Sequence, residues 1–410
     1  MTWKERILLI ILAALNFTHI LDFMIMMPLG NYLMPYFSIN TQQFTFLVSA
    51  YSGSAAITGF AAAFFVDGFD RKRVLLFGYS GFLLGTIACG FAPSYPLLLL
   101  SRLVAGSFGG LIGAQVLSMV SDLFGYERRA RAMGAVMSAF AMASTFGVPF
   151  ALYLANHFSW HAPFILVGGL GILIIPFIIY FIPPMTSHLH SGPKENKWKV
   201  LTNVLQDKRQ RNALLFSGMV ILGHFSIIPF INPFMEFNNG FPRSVTPLIY
   251  LVGGVSSFVA ANILGALADK YGKLRVFNFC VLLSIVPVYL ITHQLLIPFY
   301  FVLGLFSFWF IMSTGRGVSS QALISNVVKP EHRGGFMSFN SSMQQLGTTL
   351  ASLITGYIVV KHPDGKIYNY EWAGYLSIAV LLGCVFMANA IFKGFDKKSV
   401  VKKDSIVTEA

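Results

Sequence analysis

The chain has 410 residues, of which 55% are hydrophobic and only 11% are charged, and its formal net charge is +13. This composition lies far from that of soluble proteins and excludes a single soluble domain, so we expect repeated membrane spans. The three cysteines, Cys89, Cys280 and Cys384, all fall inside hydrophobic runs. They indicate neither a disulfide framework nor a metal site.

Hydrophobic runs of about 18 residues or more recur along the whole chain, and each is long enough to form a membrane-spanning helix. We therefore predict an all-α integral membrane protein with twelve transmembrane helices. The first run lacks the short apolar core and small-residue cleavage pattern of a secretory signal, so we expect it to be retained. The predicted spans are residues 7–29, 44–66, 74–92, 97–120, 132–156, 162–183, 212–235, 246–268, 276–294, 300–327, 336–360 and 373–393.

The basic residues set the predicted orientation, since Lys and Arg resist translocation and mark the cytoplasmic side. Placing both termini in the cytoplasm puts 24 of the 29 basic residues into cytoplasmic segments. Arg243, Lys361 and Lys366 fall outside, while Arg102 and Arg316 lie within spans. The net charge therefore indicates a positive-inside bias, and we expect no nucleic acid partner.

The first span carries polar residues on one face, since Asn16, His19 and Asp22 follow one another at intervals of three residues. A carboxylate deep in the membrane costs about 3 kcal/mol on insertion scales. One interpretation is a tolerated polar residue near a helix end. The other is a face that lines a water-filled cavity, where Asp22 meets a cation, a substrate or a proton.

Arg102 lies in predicted span 4 at a depth that matches that of Asp22, so the two side chains can pair and offset part of their desolvation cost. Burial favours the protonated carboxyl group, whereas a nearby arginine favours the ionised one. We therefore hypothesise that Asp22 exchanges a proton as Arg102 moves, with His19 as a second proton-carrying candidate. The alternative is a static structural ion pair.

Two loops on the predicted cytoplasmic side are repeated in the second half of the chain. Residues 64–74 read FFVDGFDRKRV and residues 266–276 read ALADKYGKLRV, so that an aromatic residue and an arginine follow each aspartate at the same intervals. Residues 126–134 and 330–338 repeat an acidic and a basic residue 204 positions apart. The repetition indicates two duplicated six-span halves, an architecture of transporters with a binding site between the halves.

The loop DGFDRKRV resembles the signature loop of the major facilitator superfamily, and DKYGKLRV is similar to it with the expected Gly272. Gly68 stands where that family usually has arginine, and Asp70 where it usually has glycine. In span 4, Arg102 followed by glycines resembles a motif of the same family. Gly147-Val148-Pro149 resembles the span 5 motif of its drug:proton antiporter and sugar-efflux branches. Helix packing or bending is expected at Gly106, Gly110, Gly147 and Pro149.

We predict four segments, comprising an N-terminal six-helix bundle (1–183), a cytoplasmic linker with an amphipathic helix (184–211), a C-terminal six-helix bundle (212–394) and a basic tail (395–410). The two bundles form the pseudo-symmetric major facilitator fold that the resemblance implies.

Arg316 is predicted near the middle of span 10, where an arginine marks either an anionic substrate group or a salt bridge across a cavity.

Asp67 and Asp269 can pair with basic residues of their loops as a gate, or simply cap the turns. Candidate substrate-binding residues are Asn16, His224, Asn232, Arg316, Gln321, Asn340 and Gln344. Candidate gating residues are Asp67, Arg71, Arg73, Glu127, Arg129, Asp269, Lys273, Arg275, Glu331 and Arg333.

The resemblance implies a secondary active transporter that works by alternating access, most simply proton-coupled efflux (antiport) of drugs or amphipathic compounds. The alternatives are a proton-coupled importer or facilitator of a polar or anionic solute, and a non-transporting membrane sensor. No enzyme is expected, since Asp22 is the one intramembrane carboxylate and no metal cluster is visible. We expect no cofactor beyond a proton gradient. The expected partners are a small-molecule substrate, protons and the lipid bilayer, and the expected protein is a monomer in the bacterial inner membrane.

Overall fold

A computed structural model describes residues 2–124, 126–186, 202, 204–293, 297–328 and 333–393 of the chain. The side chains of residues 63, 67, 114, 121, 126–131 and 333–335 lie outside this description. Most of the predicted linker and the entire predicted tail also fall outside it. The boundaries of the four predicted segments therefore stay predictions.

The described part of the chain is almost entirely helical, as predicted. The first half contains α1 (Trp3–Ile25), α2 (Gly30–Tyr36), α3 (Thr41–Phe65), α4 (Arg71–Gly90), α5 (Tyr95–Leu123), α6 (Tyr126–Met142), α7 (Val148–His157) and α8 (His161–Phe181). The second half contains α9 (Lys208–Phe225), α10 (Ile231–Phe237), α11 (Pro247–Tyr271), α12 (Lys273–Thr292), α13 (Phe299–Ser325), α14 (Arg333–Ile358) and α15 (Tyr370–Phe392). A short hairpin of β1 (Val360–Lys361) and β2 (Ile367–Tyr368) precedes α15.

Eleven helical stretches in the described residues are long and apolar enough to cross a membrane. The remaining predicted span corresponds to α14, whose 26 residues would extend about 39 Å. Its polar residues, including Asn340 and Gln344, lower its hydropathy. Because α14 packs against α3 and α9, much of its surface meets protein rather than lipid.

Two of the predicted spans are long and apolar enough to cross a membrane, as predicted, but the helix is interrupted near the end of each. The first helix ends at Ile25, and α2 begins only at Gly30. Span 7 breaks after Phe225, where a 3₁₀ turn precedes α10. Pro28 and Pro229 lie at the two breaks, 201 residues apart. A proline has no backbone N–H and clashes with the preceding turn, which explains why both helices end there.

Span 5 is also irregular, because residues Ala143–Gly147 form a π-helical turn between α6 and α7. Gly147 lies directly against Leu21 of α1, since a Cβ atom at position 147 would come within 2.8 Å of Leu21 Cδ1. Pro149 follows at the start of α7. The predicted packing and bending residues of this span therefore lie at an irregular turn that contacts α1.

Among the described residues, the main apolar core that the two halves share lies at one end of the molecule. At the end that contains α2 and α10, a single cluster joins residues of both halves, among them Phe44, Trp160 and Phe230. Toward the basic loops, the main buried clusters belong to one half each. The halves are thus closed together at the α2 and α10 end, which we call the sealed end.

One contact between the halves, that of α3 with α14, runs along most of the helix length. Thr41 Oγ1 donates to the carbonyl oxygen of Val359 at 2.5 Å near the sealed end. The hydroxyl oxygens of Ser52 and Thr349 are 2.9 Å apart further along. The rings of Phe60 and Phe339 come next, with centroids 5.6 Å apart. This seam can serve as an axis about which the halves rock.

Gly106 of α5 provides a direct test of packing in the first bundle. A Cβ atom at this position would lie 2.2 Å from the carbonyl oxygen of Tyr51, which belongs to the backbone of α3 and cannot move aside. We expect Gly106→Ala to destabilise the protein by about 1–3 kcal/mol, as overpacking does in other well-packed cores. The measurement is the thermal unfolding midpoint of the purified protein in one detergent.

Gly113 provides the matched control on the same helix, since a Cβ atom there would meet no atom within 4 Å. Gly113→Ala should leave the midpoint unchanged or raise it, because alanine favours the helix. Equal effects of the two substitutions would show that the close approach of α5 and α3 does not govern stability.

Candidate functional site

The structure pairs the two intramembrane charges of the first half. Arg102 Nη1 lies 2.8 Å from Asp22 Oδ2, and neither side chain has any exposed surface. The pairing agrees with the matched depths predicted from sequence, whereas its role in proton coupling stays a prediction. The geometry is a single nitrogen–oxygen contact rather than the double contact of a bidentate pair, so one small movement can separate the charges.

Aromatic and polar side chains surround this pair. The guanidinium of Arg102 lies over the ring of Tyr51, 4.4 Å from its centroid, which stabilises the cation where water is excluded. His19 lies one turn from Asp22 along α1, with its ring centroid 6.3 Å from that of Tyr51. His19 Nε2 faces Gly109, where a Cβ atom would come within 3.1 Å. Sequence reasoning missed Tyr51 because a tyrosine among apolar residues gives no signal of its partner.

The second half holds Arg316 by different chemistry. Its Nη2 donates to His224 Nδ1 at 2.8 Å and to Ser313 Oγ at 3.3 Å, and its Nη1 donates to Ser284 Oγ at 3.1 Å. Arg316 is 1% exposed. No carboxylate within the described ranges lies at ion-pair distance from it. The imidazole of His224 stacks on Trp309, with centroids 5.2 Å apart.

Two further substrate-binding candidates form a small polar network beside this site. Gln344 Nε2 lies 3.1 Å from Ser217 Oγ and 3.3 Å from Gln321 Oε1, which links α14 to α9 and α13. Asn340 is buried one turn away, and its Oδ1 has no hydrogen-bond partner among the described atoms. These polar groups lie on the α9 side of α14, within the second bundle.

The remaining two candidates make contacts that hold helices together. The Nδ2 of Asn16 donates to the carbonyl oxygen of Val136 on α6 at 3.3 Å. The Nδ2 of Asn232 donates to the carbonyl oxygen of Pro28 at 2.9 Å, which joins the two halves at the sealed end. Substrate contact by either residue stays a prediction.

Glu236 and Arg243 complete the sealed end. The amide of Asn31 donates to Glu236 Oε2, and Glu236 Oε1 accepts from Arg243 Nε at 2.5 Å. Arg243 also donates to the carbonyl oxygen of Asn31 at 3.3 Å. Burial between these groups raises the pKa of Tyr32 to about 12, so its hydroxyl stays neutral. Sequence reasoning missed this seal, although Pro28-x-x-Asn31 and Pro229-x-x-Asn232 repeat at one offset and could have revealed it.

The gating candidates of the first half have partners at the basic-loop end. Arg71 Nε lies 2.6 Å from Asp122 of α5, and Arg73 Nε lies 4.0 Å from Asp70 Oδ2. Asp70 also accepts from the backbone N–H of Lys72 at 3.0 Å and of Met185 at 2.9 Å. The aspartate that replaces the usual glycine therefore caps α4 and attaches the chain after α8 to it.

In the second half, Lys273 Nζ lies 3.7 Å from Asp269 Oδ1, and Arg275 is exposed. The other gating candidates lie outside the described side chains, so their contacts stay predictions. They are Asp67, Glu127, Arg129, Glu331 and Arg333.

Two helical bundles with a sealed end and buried intramembrane charges define a polytopic membrane transporter, the class to which the comparisons also point. The chain matches the family model of the Major Facilitator Superfamily over residues 12–317 and again over residues 213–406. The protein belongs to this superfamily. It is accordingly a multi-pass membrane transporter and not an enzyme.

Similar proteins include YceJ, an uncharacterized MFS-type transporter of Bacillus subtilis strain 168, which is 22% identical over 82% of this chain and 85% of its own length. A probable sugar efflux transporter of Helicobacter pylori strain 26695 is 25% identical over 67% of this chain and 68% of its own. A solved bacterial homologue of the human lysosomal transporter Spinster, inward-facing and occupied, superposes with a TM-score of 0.76 at 15% identity. That alignment covers 96% of this chain and 98% of the other.

Proposed function

We propose that this protein is a proton-coupled exporter, an antiporter that moves drugs or other amphipathic compounds outward by alternating access. Asp22 is the proton-binding group in this proposal, Arg102 is its movable partner and His19 is a neighbouring carrier. The proton gradient supplies the energy. Similarity to probable sugar efflux transporters supports the outward direction.

The buried ion pair is the observation that carries the proposal. Desolvation favours the neutral carboxyl group, and the nearby guanidinium favours the ionised one. Asp22 belongs to α1 and Arg102 to α5, so a rearrangement of helices within the first bundle can change their separation. Separating the charges while both remain buried is strongly unfavourable, and uptake of a proton by Asp22 relieves it. Proton binding and conformation are thereby linked.

The orientation and location belong to the same proposal. The basic loops lie at the end opposite the seal, and the positive-inside rule supports a cytoplasmic location for that end and for both termini. The described conformation would then be closed on the outside. Bacterial relatives support the inner membrane as its location, and we propose a monomer as the working unit.

A second candidate function is a proton-coupled importer or facilitator of a polar or anionic solute. Arg316 favours it, because this guanidinium is buried without a carboxylate at ion-pair distance in the described part of the chain and could bind an anion that enters the second bundle. Both candidates share alternating access, and they differ in the direction of the proton relative to the substrate.

The test is proton movement in proteoliposomes that contain the purified protein and an internal pH dye. Cationic drugs, sugars and organic anions are added one at a time, with protein-free liposomes as the control. Antiport predicts that an added substrate entering the vesicles drives protons out. Protons that move in with the substrate would establish the importer instead, and substrate flux without proton movement would overturn the coupling proposal altogether.

A further inference from the structure

Arg316 is a buried cation that has no carboxylate at ion-pair distance among the side chains that the structure describes. In the first half, the guanidinium of Arg102 has the carboxylate of Asp22 at 2.8 Å. In the second half, the three acceptors around Arg316 are Ser284, Ser313 and His224, which are neutral as acceptors. Charged residues at this depth are costly unless a partner compensates them, so the missing partner points to a ligand.

The internal repeat allows α1 and α9 to be compared. The repeated Pro28-x-x-Asn31 and Pro229-x-x-Asn232 align the two helices at an offset of 201 residues, which places Gly223 opposite Asp22 and His224 one residue further on. Phe23 follows Asp22 and Phe225 follows His224, and these two rings are in contact across the two halves with centroids 5.8 Å apart. The second half thus has no acidic residue at the position of Asp22, and the neutral imidazole of the next residue, His224, contacts the arginine instead.

The contact with Arg316 also determines the protonation state of His224. An arginine has only donors, so Nδ1 of His224 must accept the hydrogen bond from Arg316 Nη2. An imidazole that accepts at Nδ1 carries no proton on that atom and is neutral. Ser313 can accept from Arg316 and donate to His224, while Ser284 already donates to the carbonyl oxygen of Val281. The acceptor on the guanidinium is thus the neutral Nδ1 atom of His224. A negatively charged oxygen at the same place would bind the guanidinium more strongly.

We propose that Arg316 binds an oxyanion group of the transported molecule, which takes the place of His224 Nδ1 on the guanidinium. The anion gains a charge-assisted hydrogen bond in a desolvated setting, and the imidazole can turn away because it is partly exposed. Trp309, Phe225 and Phe23 supply apolar surface beside the site. The ligand class is accordingly an organic anion with an apolar body, such as an aromatic carboxylate. The proposal rests on the proposed function only for the premise that a small molecule is transported.

The experiment measures binding to the full-length protein in detergent, without any gradient. The probes are isosteric pairs that differ in charge, namely benzoate and benzamide, salicylate and salicylamide, and indole-3-acetate and indole-3-acetamide. A ligand that binds only the folded state raises its unfolding temperature. We expect at least one carboxylate to raise that temperature in a saturable manner while its amide does not. If none of the three carboxylates does so, the proposal is wrong.

Two substitutions should act in opposite directions. Arg316→Gln removes the charged donor and should weaken carboxylate binding about tenfold or more. His224→Leu removes the competing acceptor and should strengthen it by several-fold. Ser325→Ala is the control for loss of a serine hydroxyl from the same helix, because this hydroxyl donates to the carbonyl oxygen of Ala322 and its loss should leave binding unchanged. Carboxylate binding that survives Arg316→Gln, or is lost equally in His224→Leu, would overturn the assignment.

Folding and transport are separated by the same design. His224→Leu keeps the test decisive where Arg316→Gln fails to yield folded protein, because the proposal requires tighter carboxylate binding in that variant. A protein that binds carboxylates through Arg316 yet moves no protons in proteoliposomes would retain the anion site and lose the antiport proposal. Proton-coupled transport without carboxylate binding would retain the antiport proposal and exclude the anion site.

Discussion

An Asp22→Asn protein is expected to lose proton-driven net transport to the level of protein-free liposomes while it retains exchange of substrate across the membrane. Asparagine has nearly the shape of aspartate but cannot take up or release the proton. During exchange, the protein carries substrate in both directions of the conformational change and does not need that proton. Counterflow of substrate should therefore continue. The measurement compares net uptake under an imposed pH gradient with counterflow in substrate-loaded proteoliposomes.

The same substitution also has a structural effect, which must be separated from coupling. It leaves the buried guanidinium of Arg102 without its anion, and breaking a buried pair in this way costs about 3–5 kcal/mol. Arg102→Leu should cost less, because Asp22 can neutralise itself by taking up a proton, whereas arginine stays charged. The thermal unfolding midpoints of the two variants should therefore be unequal, with Asp22→Asn the lower.

The double variant Asp22→Asn/Arg102→Leu distinguishes coupling from a static ion pair. It contains no unpaired buried charge at this site, so its stability should return toward that of the parent. Proton-driven transport should remain absent, because the proton-binding group is gone. Recovery of coupled transport together with stability would show that the pair is only structural.

The pairing of Asp22 with Arg102 could be predicted because both charges stand in long apolar runs, where depth follows directly from residue count. The same logic located Arg316 but not its surroundings. Ser284 and Trp309 are ordinary residues of their spans. Packing of α12 on α13 brings Ser284 to Arg316, and packing of α9 on α13 brings Trp309 to His224. Sequence periodicity carries no information on which helices are neighbours.

The helix breaks show a second limit of the sequence. Hydropathy alone treats residues 7–29 as one span, although the chain turns after Ile25. A proline near a span end is tolerated in many membrane helices, so its presence does not decide between a bend and a break. The break becomes informative only when it is compared with its repeat, since Pro28 and Pro229 then appear as one feature occurring twice.

The asparagines that follow the two repeated prolines, Asn31 and Asn232, are expected to hold the sealed end closed. Replacing both Asn31 and Asn232 by alanine removes the amide contacts to Glu236 and to the carbonyl oxygen of Pro28. A neutral hydrogen bond contributes about 0.5–1.5 kcal/mol and one to a charged group about 1.5–3 kcal/mol. Together they would favour the closed end by about 2–4.5 kcal/mol, enough to shift an opening equilibrium by roughly 30- to 2,000-fold.

The measurement is the distance between spin labels on cysteines introduced at Ser38 and Ser244, two exposed positions on opposite halves of the sealed end. The native cysteines are buried and should stay unlabelled. Asn31→Ala/Asn232→Ala should lengthen and broaden the distance distribution. Asn238→Ala is the matched control, since its Nδ2 donates to the carbonyl oxygen of Ile367 within the second half. An unchanged distribution in the double variant, or the same change in the control, would show that these asparagines do not hold the halves together.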